Sequence, residues 1–153
     1  MNERLKSIID LEKYPIYDLN SPIIQNLIKK CKKELDQFSC STIPNFILPK
    51  SLEIMNLELE KQLDEVYMSK ESINPYLYAK DDPKLPKDHP KRTFMNRYNG
   101  YLNSDCFSKS SEMKYLYETE ELLKFVSACL GVSPIYRWAD PLACHAYNVM
   151  EPD

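Results

Sequence analysis

His89 and His145 are the only histidines in the chain, so imidazole-based metal or proton chemistry must use one or both. A site of two histidines and one carboxylate needs all three on one face, with open positions beside the ion. No His-x-Asp or His-x-Glu occurs. His89 precedes Pro90, which suits a loop, and His145 lies mid-stretch before Ala146 and Tyr147. The pair is therefore not expected to ligate a metal, and His145 reads as a hydrogen-bonded interior histidine or a substrate-facing one. Arg92 and Arg97 form the second group. A guanidinium forks a carboxylate through two parallel hydrogen bonds, so an arginine near a cleft is a natural holder for an amino-acid carboxylate. The competing reading for each arginine is a surface residue paired with a nearby acid.

The elements that must position these residues follow from apolar spacing. Residues 1–20 mix charged side chains with Ile8, Ile9, Leu11, Tyr14, Ile16 and Tyr17, and Pro15 interrupts any long helix; the segment reads as a peripheral arm. Ser21-Pro22 is a helix start. Ile24, Leu27, Ile28, Cys31 and Leu35 then make one apolar stripe, with Lys29, Lys30, Lys32 and Lys33 on or near the wet side. Phe38 to Phe46 predicts a strand. A second helix opens at Lys50-Ser51 and carries Leu52, Met55, Leu59, Leu63 and Val66; its interleaved Glu53, Glu58, Glu60, Asp64 and Glu65 read as a solvent face rather than a pair of catalytic carboxylates. Four prolines between Asn74 and Gly100 predict a long ordered loop, of the kind that tends to be functional, before an extended pattern resumes around Arg92 and Arg97. Ser110-Ser111 caps a short helical turn, and a further helix from near Thr119 ends at Gly131 with Pro134 beyond. Ile135 to Trp138 predicts a short strand and Asp140-Pro141 a corner. Leu142 to Met150 lacks Gly, Pro and charge and interleaves apolar side chains with His145, Tyr147 and Asn148, which predicts a strand; Glu151-Pro152-Asp153 reads as a turn.

Composition closes off other classes. The 153 residues are 43% hydrophobic and 28% charged, which is neither disordered nor membrane-like, and the net charge of -3 argues against nucleic acid. No apolar run approaches the roughly 18 residues of a membrane span and no signal-peptide core follows Met1, so a cytoplasmic protein is the default expectation. Cys31, Cys40, Cys106, Cys129 and Cys144 are odd in number and widely spaced, as expected of reduced, mostly buried thiols. Two glycines, Gly100 and Gly131, are too few for a phosphate-cradling loop of the P-loop or dinucleotide type.

The stretch Arg137 to Asp153, with Tyr147 and Asn148 followed by a turn, resembles the first core strand of the iron(II)/2-oxoglutarate-dependent oxygenases. Phe38-Ser39-Cys40-Ser41-Thr42-Ile43-Pro44-Asn45-Phe46, Leu85-Pro86-Lys87-Asp88-His89-Pro90-Lys91-Arg92-Thr93 and Ala139-Asp140-Pro141-Leu142-Ala143 are similar to the branch that includes amino-acid hydroxylases and radical halogenases. The resemblance covers roughly residues 35–153. It implies an α+β fold in which helices pack on an incomplete antiparallel sheet, part of a double-stranded β-helix or jelly roll, with residues 21–153 as one partial domain. It implies iron(II) and 2-oxoglutarate as cofactors, with Tyr147 or Asn148 donating hydrogen bonds to a 2-oxoglutarate carboxylate; the two point to opposite faces, so only one can face the barrel interior. Arg92, Arg97, Asp140 and His145 are the implied substrate contacts. The family's His-x-Asp, its distal His and its cosubstrate-holding Arg would lie beyond Asp153. The expectation is thus an amino-terminal portion without activity alone. The alternatives are an oxygenase half completed by another chain, through a missing carboxyl-terminal half or self-association at the terminal strand, and a small protein-interaction module. A module should cover or pair residues 142–150, whereas a portion should leave them as an open edge.

Overall fold

The computed structural model describes residues 2–142 and 144–150. Five helices and three strands lie among them: α1 (Glu3–Ile8), α2 (Pro22–Phe38), α3 (Pro49–Glu60), β1 (Tyr67–Ile73), β2 (Met95–Asn103), α4 (Glu112–Glu118), α5 (Glu120–Leu130) and β3 (Ala146–Val149). The architecture is α+β with an antiparallel sheet in the order β1-β2-β3. The turn expected at Glu151-Pro152-Asp153 lies outside the described residues. No helix among the described residues is long and apolar enough to cross a membrane.

Capping fixes the helices where the sequence places them. Ser21 Oγ accepts from Ile24 N at 3.3 Å at the start of α2, with Pro22 in the first turn where its missing donor costs nothing. Ile24, Ile28 and Cys31 are buried on the expected stripe. Ser111 caps α4 through Lys114 N, and α5 stops at Gly131, whose φ of 69° is the left-handed C′ conformation that glycine adopts without a Cβ penalty.

The first departure is at residues 1–20, which are not peripheral. Leu5, Ile8, Ile9, Leu11, Tyr14 and Ile16 are buried and join Ile24, Ile28, Cys31, Met55, Leu116, Phe125 and Cys129 in the main core. The chain at Ile8–Asp10 pairs with Phe46–Leu48: Asp10 N donates to Phe46 O at 3.1 Å and Leu48 N to Ile8 O at 2.8 Å. Of the strand expected at Phe38–Phe46, only the Phe46 carbonyl takes part in this pairing, and the bridge itself falls at Ile47. Phe38 ends α2, Ser39 turns left-handed at φ 55°, and Pro44 offers only a carbonyl, which accepts from Tyr14 Oη at 2.6 Å. Among the described residues no neighbouring strand lies alongside residues 39–45 to accept a ladder.

The second helix is shorter than its stripe. α3 stops at Glu60, leaving Leu63 half exposed, and Leu52 is exposed as well. Its inward positions are Ser51, Met55 and Glu58. Ser111 Oγ donates to Glu58 Oε2 at 2.8 Å and Glu112 N to Oε1 at 3.2 Å, while Ser51 Oγ donates to the Glu112 carboxylate. A carboxylate at the free donors of a helix start replaces the apolar contact the stripe predicted. Val66 belongs to the approach to β1, a strand the apolar spacing does not signal. Ile135–Trp138 forms no strand either: Arg137 donates to Glu118 O at 2.8 Å and pairs with Glu120 at 2.7 Å, and Trp138 N donates to Tyr117 Oη at 2.8 Å. Side chains around the α4–α5 junction take the place of a ladder there.

Candidate functional site

β2 sits between β1 and β3, so its alternating side chains decide what each face of the sheet presents. The register pairs Gly100 with Val149, Tyr101 with Asn148 and Leu102 with Tyr147. Leu102, Tyr147, Val149 and Met68 therefore share one face, and Arg97, Asn99, Tyr101 and Asn148 share the other.

The first face meets the α4 side of the molecule. Leu102 is fully buried, and Phe107 packs against Tyr147 and His145 with ring centroids 5.1 and 6.0 Å apart. Tyr117 covers His145 from another side at 5.8 Å. His145 Nδ1 lies 3.5 Å from Cys144 Sγ, while His145 Nε2 and Tyr147 Oη are buried with no hydrogen-bond partner among the described residues. Desolvation, with Lys114 repelling the cation and Glu118 opposing it, lowers the pKa of His145 below its ordinary value of 6.5. Burial, then the nearby Glu58 charge, raises that of Tyr147. Both side chains are thus held neutral among aromatic rings.

An unfolded His145 takes up its proton near pH 6.5 and the folded one resists it, so the unfolded state binds more protons in the window just below that pH. Stability should fall as pH drops from about 7.5 to about 5.5, measured as urea midpoints, and His145→Phe should flatten that slope. An unchanged slope in the variant would remove His145 as its source.

The second face is polar and half buried. Arg97 donates through Nη2 to Tyr101 Oη. In the amide orientation that satisfies both its ends, Asn99 donates to Tyr98 O at 2.9 Å and accepts from Arg97 Nε at 2.9 Å, Nη2 at 3.2 Å and Tyr101 Oη at 3.2 Å. Glu71 stands opposite Arg97 in the register, yet no ion pair to Arg97 forms among the described residues. Arg97 and Asn99 line an open cleft of about 720 Å3 that also takes in Ile73, Pro75, Leu77 and Met150. That volume suits a small ligand.

Arg92 is held differently. Its Nε and Nη2 fork Asp81 at 2.9 and 2.8 Å and its Nη1 donates to Leu85 O at 3.1 Å. That ion pair lowers the pKa of Asp81 through the hydrogen bonds from Arg92. Asn74, almost fully buried, accepts from Tyr76 N and Tyr78 N at 3.0 Å each and donates to Lys91 O at 2.7 Å. Together they order the long loop between β1 and β2, as its prolines predict. His89 Nδ1 accepts from Lys91 N at 3.1 Å and caps a turn, and Asp140 Oδ1 accepts from Leu142 N at 2.9 Å at an exposed corner.

Of the six residues singled out from the sequence, the structure brings Arg97 and Asn148 to one face and His145 and Tyr147 to the other, and leaves Arg92 and Asp140 in local structure. Asn99 and Tyr101 were not singled out, although their spacing of two and four from Arg97 puts them on its side of a strand. The described residues contain no group of three His, Cys, Asp or Glu side chains able to hold a metal ion, so they do not fit iron(II). The Arg97 face fits a carboxylate. No family model matches the chain, and no curated protein or solved structure matches it either.

Proposed function

We propose that the chain is the amino-terminal part of an iron(II)/2-oxoglutarate-dependent oxygenase of the amino-acid hydroxylase and halogenase branch, acting in the cytoplasm. On this reading the three strands are a section of a double-stranded β-helix and the Arg97 face is its interior. The observation that carries it is Arg97: a half-buried guanidinium without a carboxylate partner among the described residues, on the same side as Asn148 and beside a ligand-sized cleft. The cation would bind a carboxylate of 2-oxoglutarate or of an amino-acid-like substrate, and Asn148 would donate to the cosubstrate. Oxygen activation is what bound iron(II) supplies, and its ligands would come from strands outside these residues. The 153 residues alone would then be inactive.

A second reading, an oxygenase half completed by another chain, draws support from β3. Its only partner among the described residues is β2, so its outer edge offers unpaired donors and acceptors to an added strand. Self-association through the same edge would use the same groups.

Anaerobic titration with iron(II) tests the absence of metal ligands: the protein should bind it no more tightly than a generic acidic surface does. One tight site, lost on changing His89 or His145, would refute the proposal. The coding sequence beyond codon 153 should carry an in-frame His-x-Asp or His-x-Gly, and its absence counts against the oxygenase ancestry.

A further inference from the structure

The two arginines that the sequence could not tell apart differ in what surrounds them. Arg92 is neutralised by Asp81 and has a carbonyl for its remaining edge. Arg97 is held instead by an amide and a phenol. Neutral acceptors fix the direction of a guanidinium while leaving its charge uncompensated. An acid in either place would have satisfied the cation internally and left nothing for a ligand.

Donor accounting shows which edge remains. Asn99 Oδ1 takes the Nε donor and one from Nη2, and Tyr101 Oη accepts from Nη2 while donating to Asn99 Oδ1. Neither Nη1 donor has a partner among the described residues, of the five that a guanidinium carries. Tyr101 is also the register partner of Asn148, so one phenol touches Arg97 and stands beside the amide expected to contact the cosubstrate. The strand period fixes this arrangement: residues 97, 99 and 101 project to the same side of β2.

We infer that Tyr101 and Asn99 are positioning residues for Arg97, which lock its guanidinium in the plane that presents the Nη1 edge to a carboxylate in the cleft. This rests on the proposed oxygenase reading for the identity of the ligand, but not for the clamp itself. A free arginine side chain would search many rotamers before binding; a clamped one has already lost that freedom and binds more tightly for the same contacts. A carboxylate suits the site better than a phosphate group, because one cation held by neutral acceptors balances a single negative charge.

The test separates the clamp from the ligand. In the 15N-labelled protein without ligand, the Arg97 Nε–Hε group should be rigid on the ps–ns timescale, and Tyr101→Phe should make it mobile. In two further arms the protein is titrated with 2-oxoglutarate and with a panel of free α-amino acids, following the Arg97 Nε–Hε resonance. Tyr101→Phe should weaken binding of the responsive carboxylate about tenfold and Asn99→Leu at least as much, whereas Arg97→Lys should not restore the wild-type affinity. Which probe moves the resonance identifies the source of the carboxylate. An Arg97 group already mobile in the wild type, or binding undiminished in Tyr101→Phe, would overturn the inference and leave the oxygenase reading standing. A rigid, Tyr101-dependent Arg97 that answers to neither probe would uphold the clamp and count against the oxygenase reading.

Discussion

Replacing Ile9 by alanine should destabilise the protein by about 2–5 kcal/mol, the cost of a large-to-small change at a site that cannot collapse. Ile9 has no exposed surface and forms the bridge to Ile47 that ties the first residues to the α2–α3 connection. Ile8 precedes it and Leu5 lies one helical turn earlier, both buried, while Leu11, Tyr14 and Ile16 continue the cluster toward Ile24, Ile28, Phe125 and Cys129. The segment therefore supplies one wall of the core on which α2 and α5 close. Removing residues 2–20 should leave the inner faces of those helices wet and yield a chain without a cooperative urea transition. Urea unfolding of Ile9→Ala, read as the shift in midpoint at constant slope, checks the smaller change. A loss below about 1 kcal/mol would mean that the segment lies on the surface after all, since surface substitutions stay within about 0.5 kcal/mol.

The second large effect is expected at Gly100. A Cβ built there would meet Met68 Sδ at 2.5 Å, Val66 Cγ1 at 2.6 Å and Val149 Cβ at 3.0 Å. The methionine sulfur lies far along a flexible side chain and can swing away. Val149 Cβ is fixed by the backbone of β3, and Val66 by the turn into β1, so neither yields without moving a strand. Gly100→Ala should cost about 1–3 kcal/mol by overpacking, partly offset by the lower chain entropy of alanine when unfolded. The strand that moves most readily is β3, four residues long and paired on one side among the described residues. Amide exchange of β3 should therefore speed up more than that of β1, and the displacement of Asn148 should weaken any carboxylate bound on the Arg97 face. Wild-type stability together with unchanged β3 protection would show that the contact is relieved elsewhere.

The helical core is built on the first twenty residues, and the sheet, with its polar face, stands beside it. Tyr117 of α4 packs on His145, and Leu102, Phe107 and Tyr147 lie on that same side of the sheet, so the Arg97 face is turned the other way. On the oxygenase reading that open face is where further strands would close a barrel. The edge of β3 left unpaired among the described residues is the direction from which they would come.

Local chemistry was legible in the sequence wherever it acts within a few residues. Ser21 and Ser111 as caps, Gly131 as a stop, the stripe of α2, the proline-rich loop and the extended character around Tyr147 could be read without coordinates, because capping, φ preference and apolar period depend on near neighbours alone. What failed depends on partners distant in the chain. Residues 1–20 read as an arm in the sequence, because charged side chains interleave the apolar ones and Pro15 interrupts any long helix, yet a core needs burial rather than one long helix. Phe38–Phe46 and Ile135–Trp138 have strand-like composition, but a strand exists only where another lies alongside, and β1 exists in spite of Lys70 and Glu71 because β2 does. The same holds for the site. Arg92 and Arg97 are the same residue type five positions apart, and no rule of spacing separates them. Asp81 neutralises one and Asn99 with Tyr101 merely aims the other, a distinction that long-range register and loop closure alone could make.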